Sequence, residues 1–123
     1  MVFSMSLSVS AEDISVTVKN KEVKFPDVVP TLENGTVLIP LRAVFEAIGA
    51  EVYWVGETST IMCANDDLKL ILQIGNNQLF KNNDKIEIAA PVIINNRTMI
   101  TPDVIEKAFD ITAEITETAI AFK

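Results

Sequence analysis

Residues 33–54, ENGTVLIPLRAVFEAIGAEVYW, constrain the fold of this chain more than any other stretch. Asn34-Gly35 is a strong signal for a tight turn, because a two-residue hairpin turn needs residues that tolerate positive φ. Val37-Leu38-Ile39 follows as a short apolar strand. Pro40 suits the first helical position, where its missing N–H costs nothing. Leu41, Val44, Phe45 and Ile48 recur at i, i+3, i+4 and i+7 and make one apolar stripe. Arg42 and Glu46 lie four apart on the opposite side and can pair. Gly49 fits the left-handed residue that ends a helix, after which Ala50, Val52 and Trp54 alternate with Glu51 and Tyr53. A helix this short is held by packing on a sheet, not by propensity. Turn, strand, helix, stop and strand therefore form one packing unit.

The flanking sequence reads as hairpins. Ile14, Val16 and Val18 alternate with Ser15 and Thr17, Lys19-Asn20-Lys21 turns the chain, and Val23 and Phe25 continue the alternation. Pro26 and Pro30 bracket an extended connection that cannot be a central strand. Beyond Trp54 the pattern predicts strands over 58–64 and 68–74 around an Asn65-Asp66-Asp67 turn. Gly75-Asn76-Asn77 breaks the chain, and a further hairpin opens at Leu79-Phe80, turns over 81–84 and returns over 85–88.

Residues 95–115, NNRTMITPDVIEKAFDITAEI, resemble 33–54 in degenerate form. With Pro30 aligned to Pro91, Leu32 meets Ile93, Leu38 meets Met99, Ile39 meets Ile100, Val44 meets Ile105 and Ala47 meets Ala108. In the second copy Thr101 is placed as an N-cap, Pro102 opens the helix and Asp103 suits its positive end. Glu106 stands where Phe45 does, so the second helix is expected to be less deeply covered, and Asp110 replaces Gly49. These features predict an α+β fold: a largely antiparallel sheet packed on two short helices, built from two copies of a hairpin–strand–helix–hairpin repeat. The copies run over about 14–74 and 77–123 within one domain, 12–123. Residues 1–11 read as a signal-peptide remnant or an N-terminal extension, because an apolar run ends in the small residues Ser8-Val9-Ser10-Ala11 before Glu12-Asp13.

Charge and composition narrow the function. The formal charge of −7 and pI near 4.5 disfavour binding to nucleic acid or to anionic membranes, and no stretch is long enough to span a bilayer. Cys63 is the single cysteine, so no intramolecular disulfide can form, and its apolar surroundings read as a buried small hydrophobe. The chain has no histidine. That removes imidazole copper ligands, the usual zinc set and His-assisted nucleophilic catalysis. The carboxylate pairs Glu12-Asp13, Asp66-Asp67 and Glu114 with Glu117 fall in turns or beside surface strands, where a solvated group has no cause to shift its pKa. Asn65-Asp66-Asp67 lacks the spacing of a calcium loop, and glycine-rich phosphate loops are absent. The sequence thus predicts no enzyme, no cofactor and no metal site. Helix and strand phase place Phe45 and Trp54 in the core and leave Arg42, Glu46, Glu51 and Tyr53 as the outer face available for contact.

On Val18-Lys19-Asn20-Lys21-Glu22-Val23, on 33–42, on 45–54 with Gly56-Glu57-Thr58, and on 95–100, the chain resembles the copper amine oxidase N-terminal-like domain. That bacterial family occurs mainly in exported proteins of Gram-positive organisms. The resemblance implies a non-catalytic stalk-type module, an antiparallel sheet twisted around a helix and remote from the copper of the parent oxidases. It also implies a secreted or cell-envelope location. Thr101-Pro102-Asp103 departs from the Pro-Leu-Arg of the first copy, so no role of that arginine carries over there. The expected function is a non-enzymatic extracellular or cell-wall-associated interaction module, its partner a protein or envelope component, with self-association through sheet edges. The alternative is a carbohydrate-binding module that recognises envelope glycans through exposed aromatic and polar residues.

Overall fold

The computed structural model describes residues 14–123. The N-terminal segment and the Glu12-Asp13 pair lie outside the described residues. The turn residues named from sequence adopt the required backbone. Lys19 and Asn20, Asn34 and Gly35, and Asn95 and Asn96 all have positive φ. Each pair closes a two-residue hairpin, so strand register is set locally. The hairpins are β1 (Ser15–Val18) with β2 (Lys21–Glu22), β3 (Thr31–Glu33) with β4 (Thr36–Pro40), and β10 (Val92–Ile94) with β11 (Arg97–Ile100).

Helix α1 (Leu41–Ile48) leaves β4 directly, and α2 (Pro102–Phe109) leaves β11 after Thr101. Pro40 is not the first helical residue. It is the extended N-cap, with φ −63° and ψ 124°, and it pairs with Met99 as the last residue of β4. Thr101 and Pro102 take the N-cap and first-turn places expected of them, although the Thr101 hydroxyl bonds the Asp103 carboxylate and not a backbone N–H. Gly49 ends α1 at φ 112°, and Asp110 ends α2 at φ 57°.

Among the described residues the strands form three sheets, not the single shared sheet expected. β4 and β11 lie side by side, antiparallel, at the centre of the order β10-β11-β4-β3. A five-stranded antiparallel meander runs β5 (Glu51–Val55), β6 (Thr60–Asn65), β7 (Leu68–Gln73), β8 (Gln78–Lys81), β9 (Asp84–Glu87). The third sheet, β12-β13-β1-β2, joins β12 (Ala113–Ile115) and β13 (Ala119–Phe122) to the first hairpin, with β1 and β13 parallel. One sheet fails because each helix must cover apolar faces from several directions: α1 packs on β1, β5 and β11, and α2 packs on β4 and β12. The strands wrap the helices in three pieces. Mostly antiparallel sheets and two eight-residue helices make this an α+β fold.

The core gathers Leu41, Val44 and Phe45 of α1, Val104, Ile105 and Ala108 of α2, and inward residues of all three sheets. Phe45 meets Phe109 edge to face, with ring centroids 4.9 Å apart and planes at 81°, so the helices touch through an aromatic pair. The second helix is not the less covered one. Val104, Ile105 and Ala108 are fully buried, and half-buried Glu106 turns its Oε2 to accept the Ala113 N–H at 2.9 Å. A charged side chain is tolerated there because it satisfies a backbone donor. At the far end, Lys81 Nζ donates to the Lys107 carbonyl and to Asp110 Oδ2, placing a cation at the negative end of α2.

Candidate functional site

A groove of about 780 Å³ opens where α1, the connection after β2, the β5–β6 edge and the β10–β11 hairpin meet. Its volume falls within the range of small-molecule sites. Its lining is mixed. Phe25, Leu41, Val52, Trp54, Ile61 and Ile93 supply apolar surface, and Arg42 and Glu46 from α1, Asp27 from the connection, and Asn96 and Arg97 from the hairpin supply polar groups.

Trp54 overturns an expectation. It lies in the inward row Trp54–Ile61–Leu72, yet it is 45% exposed, whereas Ile61 and Leu72 are buried. The cause is position in the sheet: β5 is the end strand of the five, so Trp54 has a strand neighbour on one side only, whereas Ile61 beside it is flanked on both. The indole is left at the rim of the sheet, over Gly56. A methyl group at Gly56 would sit 3.3 Å from Trp54 Nε1, so the glycine makes room for the ring. Phe45, the other aromatic assigned to the core, is fully buried.

Two ion pairs tie the charged lining residues together. Arg97 donates from Nε (3.0 Å) and Nη2 (2.6 Å) to Asp27 Oδ2. The Arg97 guanidinium, with the Val28 N–H, holds the Asp27 carboxyl below the usual carboxylate range. Asp27 is stabilised as the anion above its ordinary pKa, and that contribution fades as pH falls through the lowered one. Arg42 Nη1 donates to Glu46 Oε2 at 3.3 Å and to the Val52 carbonyl at 3.1 Å. Since β5 is a sheet edge, that second bond occupies an edge carbonyl that an added strand would need.

The four residues singled out by phase therefore separate into two pairs. Arg42 and Glu46 belong to the groove. Glu51 and Tyr53 are on the opposite face of the five-stranded sheet, where the Tyr53 hydroxyl donates to Glu51 Oε1 at 2.9 Å. That face is open: Tyr53, Met62 and Ile71 stand exposed in one cross-strand row. Asp27, Asn96 and Arg97 were not singled out from the sequence. The Asp27–Arg97 pair joins residues seventy positions apart, so no local signal in the sequence marks it.

Cys63 is buried between Val52 and Leu70, and burial pushes its thiol up to about 12, which makes it a packing residue. Among the described residues no group of three histidine, cysteine, aspartate or glutamate side chains is placed to hold a metal ion. The imidazole ligands of a copper centre are missing from the sequence itself, so the residues present do not fit one. Among the described residues no helix is long and apolar enough to cross a membrane.

No curated protein matches the chain. The copper amine oxidase N-terminal domain matches residues 17–121, which takes in every sheet, both helices and the groove. The chain belongs to the copper amine oxidase N-terminal domain family, whose domain in those oxidases is non-catalytic.

Proposed function

We propose that this chain is a non-enzymatic interaction module of an extracellular or cell-envelope protein, and that the groove beside α1 is its contact surface. The observation that carries this reading is a groove lined both by the half-exposed Trp54 and by two ion pairs closed within the protein. Rigid aromatic side chains and prearranged polar groups lose little entropy on binding. The nucleophile and base chemistry of a hydrolase has little support here: the thiol is buried, histidine is lacking, and Asp27 is held ionised by an arginine. The occurrence of the family in exported proteins supports the location. We also read the two strand–helix units, 36–48 and 97–109, as copies of one packing unit, supported by the side-by-side pairing of β4 and β11. Self-association would use the open face of the five-stranded sheet, where Tyr53, Met62 and Ile71 are exposed.

Co-sedimentation with insoluble cell-envelope material tests the groove. Trp54→Ala and Arg97→Ala are expected to lose most of the retention shown by the wild-type chain, and Tyr53→Ala to keep it. Full retention by both groove variants would remove the groove from the reading.

A further inference from the structure

Resting on the groove as the contact surface, we propose that its ligand is an uncharged oligosaccharide. The argument begins with charge. The whole chain carries −7, yet the groove is lined by Glu22, Asp27 and Glu46 against Lys24, Arg42 and Arg97, three of each sign. Two of those pairs are closed by hydrogen bonds within the protein. Glu22 and Lys24, one of each sign, are left over, so the lining offers no net counter-charge to an anion or a cation. A charged ligand seated on Asp27–Arg97 or Arg42–Glu46 would have to break a pair.

A purely apolar ligand is equally disfavoured, because it would strip water from these six ionised groups without replacing its hydrogen bonds. A peptide added as a strand meets the Val52 carbonyl already held by Arg42. A sugar ring satisfies the remaining demands. Its C–H face stacks on the half-exposed Trp54 indole, and its hydroxyls donate to the carboxylates of Asp27 and Glu46. The same hydroxyls accept from Asn96 and Arg97 while both ion pairs stay intact. At about 780 Å³ the groove has room for more than one such ring.

The test uses the full chain and its single tryptophan as the reporter. Short oligomers of N-acetylglucosamine, glucose and mannose are titrated in turn while Trp emission is followed. A cationic glucosamine oligomer and an anionic galacturonate oligomer serve as controls. A saturable change with at least one neutral series, and tighter binding of that series than of both charged controls, is expected. By calorimetry, Trp54→Ala should bind that sugar roughly tenfold more weakly or worse, and Asn96→Ala should also weaken it, while Tyr53→Phe binds as wild type. Preference for a charged oligomer, or no response to any neutral one, overturns the proposal. If no neutral sugar binds but Trp54→Ala still abolishes retention on envelope material, the groove reading stands and the sugar assignment alone fails. If sugars bind wild type and Trp54→Ala equally well, both fail.

Discussion

At the residue scale, neighbours one position apart on β5 have opposite fates. Trp54 faces the groove, and Tyr53 points to the other side, paired with Glu51. The Glu51 carboxylate accepts the phenolic proton and repels the phenolate, which raises the Tyr53 pKa above its usual 10.0. A raised pKa means that the pair supports the fold below the unfolded value and stops doing so as pH climbs through the folded one. Tyr53 is the only tyrosine, so its tyrosinate absorbance can be followed without interference. The titration midpoint should fall on Glu51→Gln substitution; an unchanged midpoint would show that the hydrogen bond does not persist in solution. Alternation alone told the two aromatics apart and put Tyr53 outside, where it is exposed; what it missed is that Trp54, on the inward phase, is half exposed as well. Phase gives the face of a strand, and only the strand order tells whether that strand is flanked on both sides or stands at the end of the sheet.

At the scale of elements, the two helices solve one problem with different residues. Phe45 fills the space between them by meeting Phe109 edge to face. Truncating it opens a cavity against both helices, so Phe45→Ala should lower unfolding free energy by about 3–5 kcal/mol in a denaturant titration. A loss below about 1 kcal/mol would mean that the helices close up over the gap. The stops also differ. Gly49 adopts φ 112°, a value that side chains rarely reach, whereas Asp110 at φ 57° sits in the left-handed well that aspartate tolerates. Both stops, both apolar stripes and the hairpin turns were legible in the sequence because each depends on residues within a few positions. Pro40 was misplaced by one because its ring suits both the end of a strand and the start of a helix. Its pairing with Met99 decides between them, and that contact is far away in the chain.

At the scale of the molecule, the chain is closed by the parallel pairing of β1 with β13. Parallel neighbours need a long crossover, and here nearly all of the described chain provides it. Val16 and Val18 therefore depend for burial on Ile120 and Phe122, all four being core residues. A chain ending at Thr118 should lose its cooperative thermal transition, as followed by circular dichroism and Trp emission. A sigmoidal melt within a few degrees of the full chain would show that β13 adds only a local edge.

The sequence by itself determined the turns, both helices, the helix stops and most strands, because these follow from short-range backbone preferences and from apolar periodicity. Arg42 and Glu46 were legible as a pair for the same reason, lying one helical turn apart. Only the tertiary structure decided that the strands divide into three sheets, that Trp54 is uncovered, and that Asp27 and Arg97 meet across seventy residues. Periodicity records which side of an element is apolar. Which strand ends up at the end of a sheet, and which distant loop lies beside it, depends on packing among segments whose separation along the chain leaves no local trace.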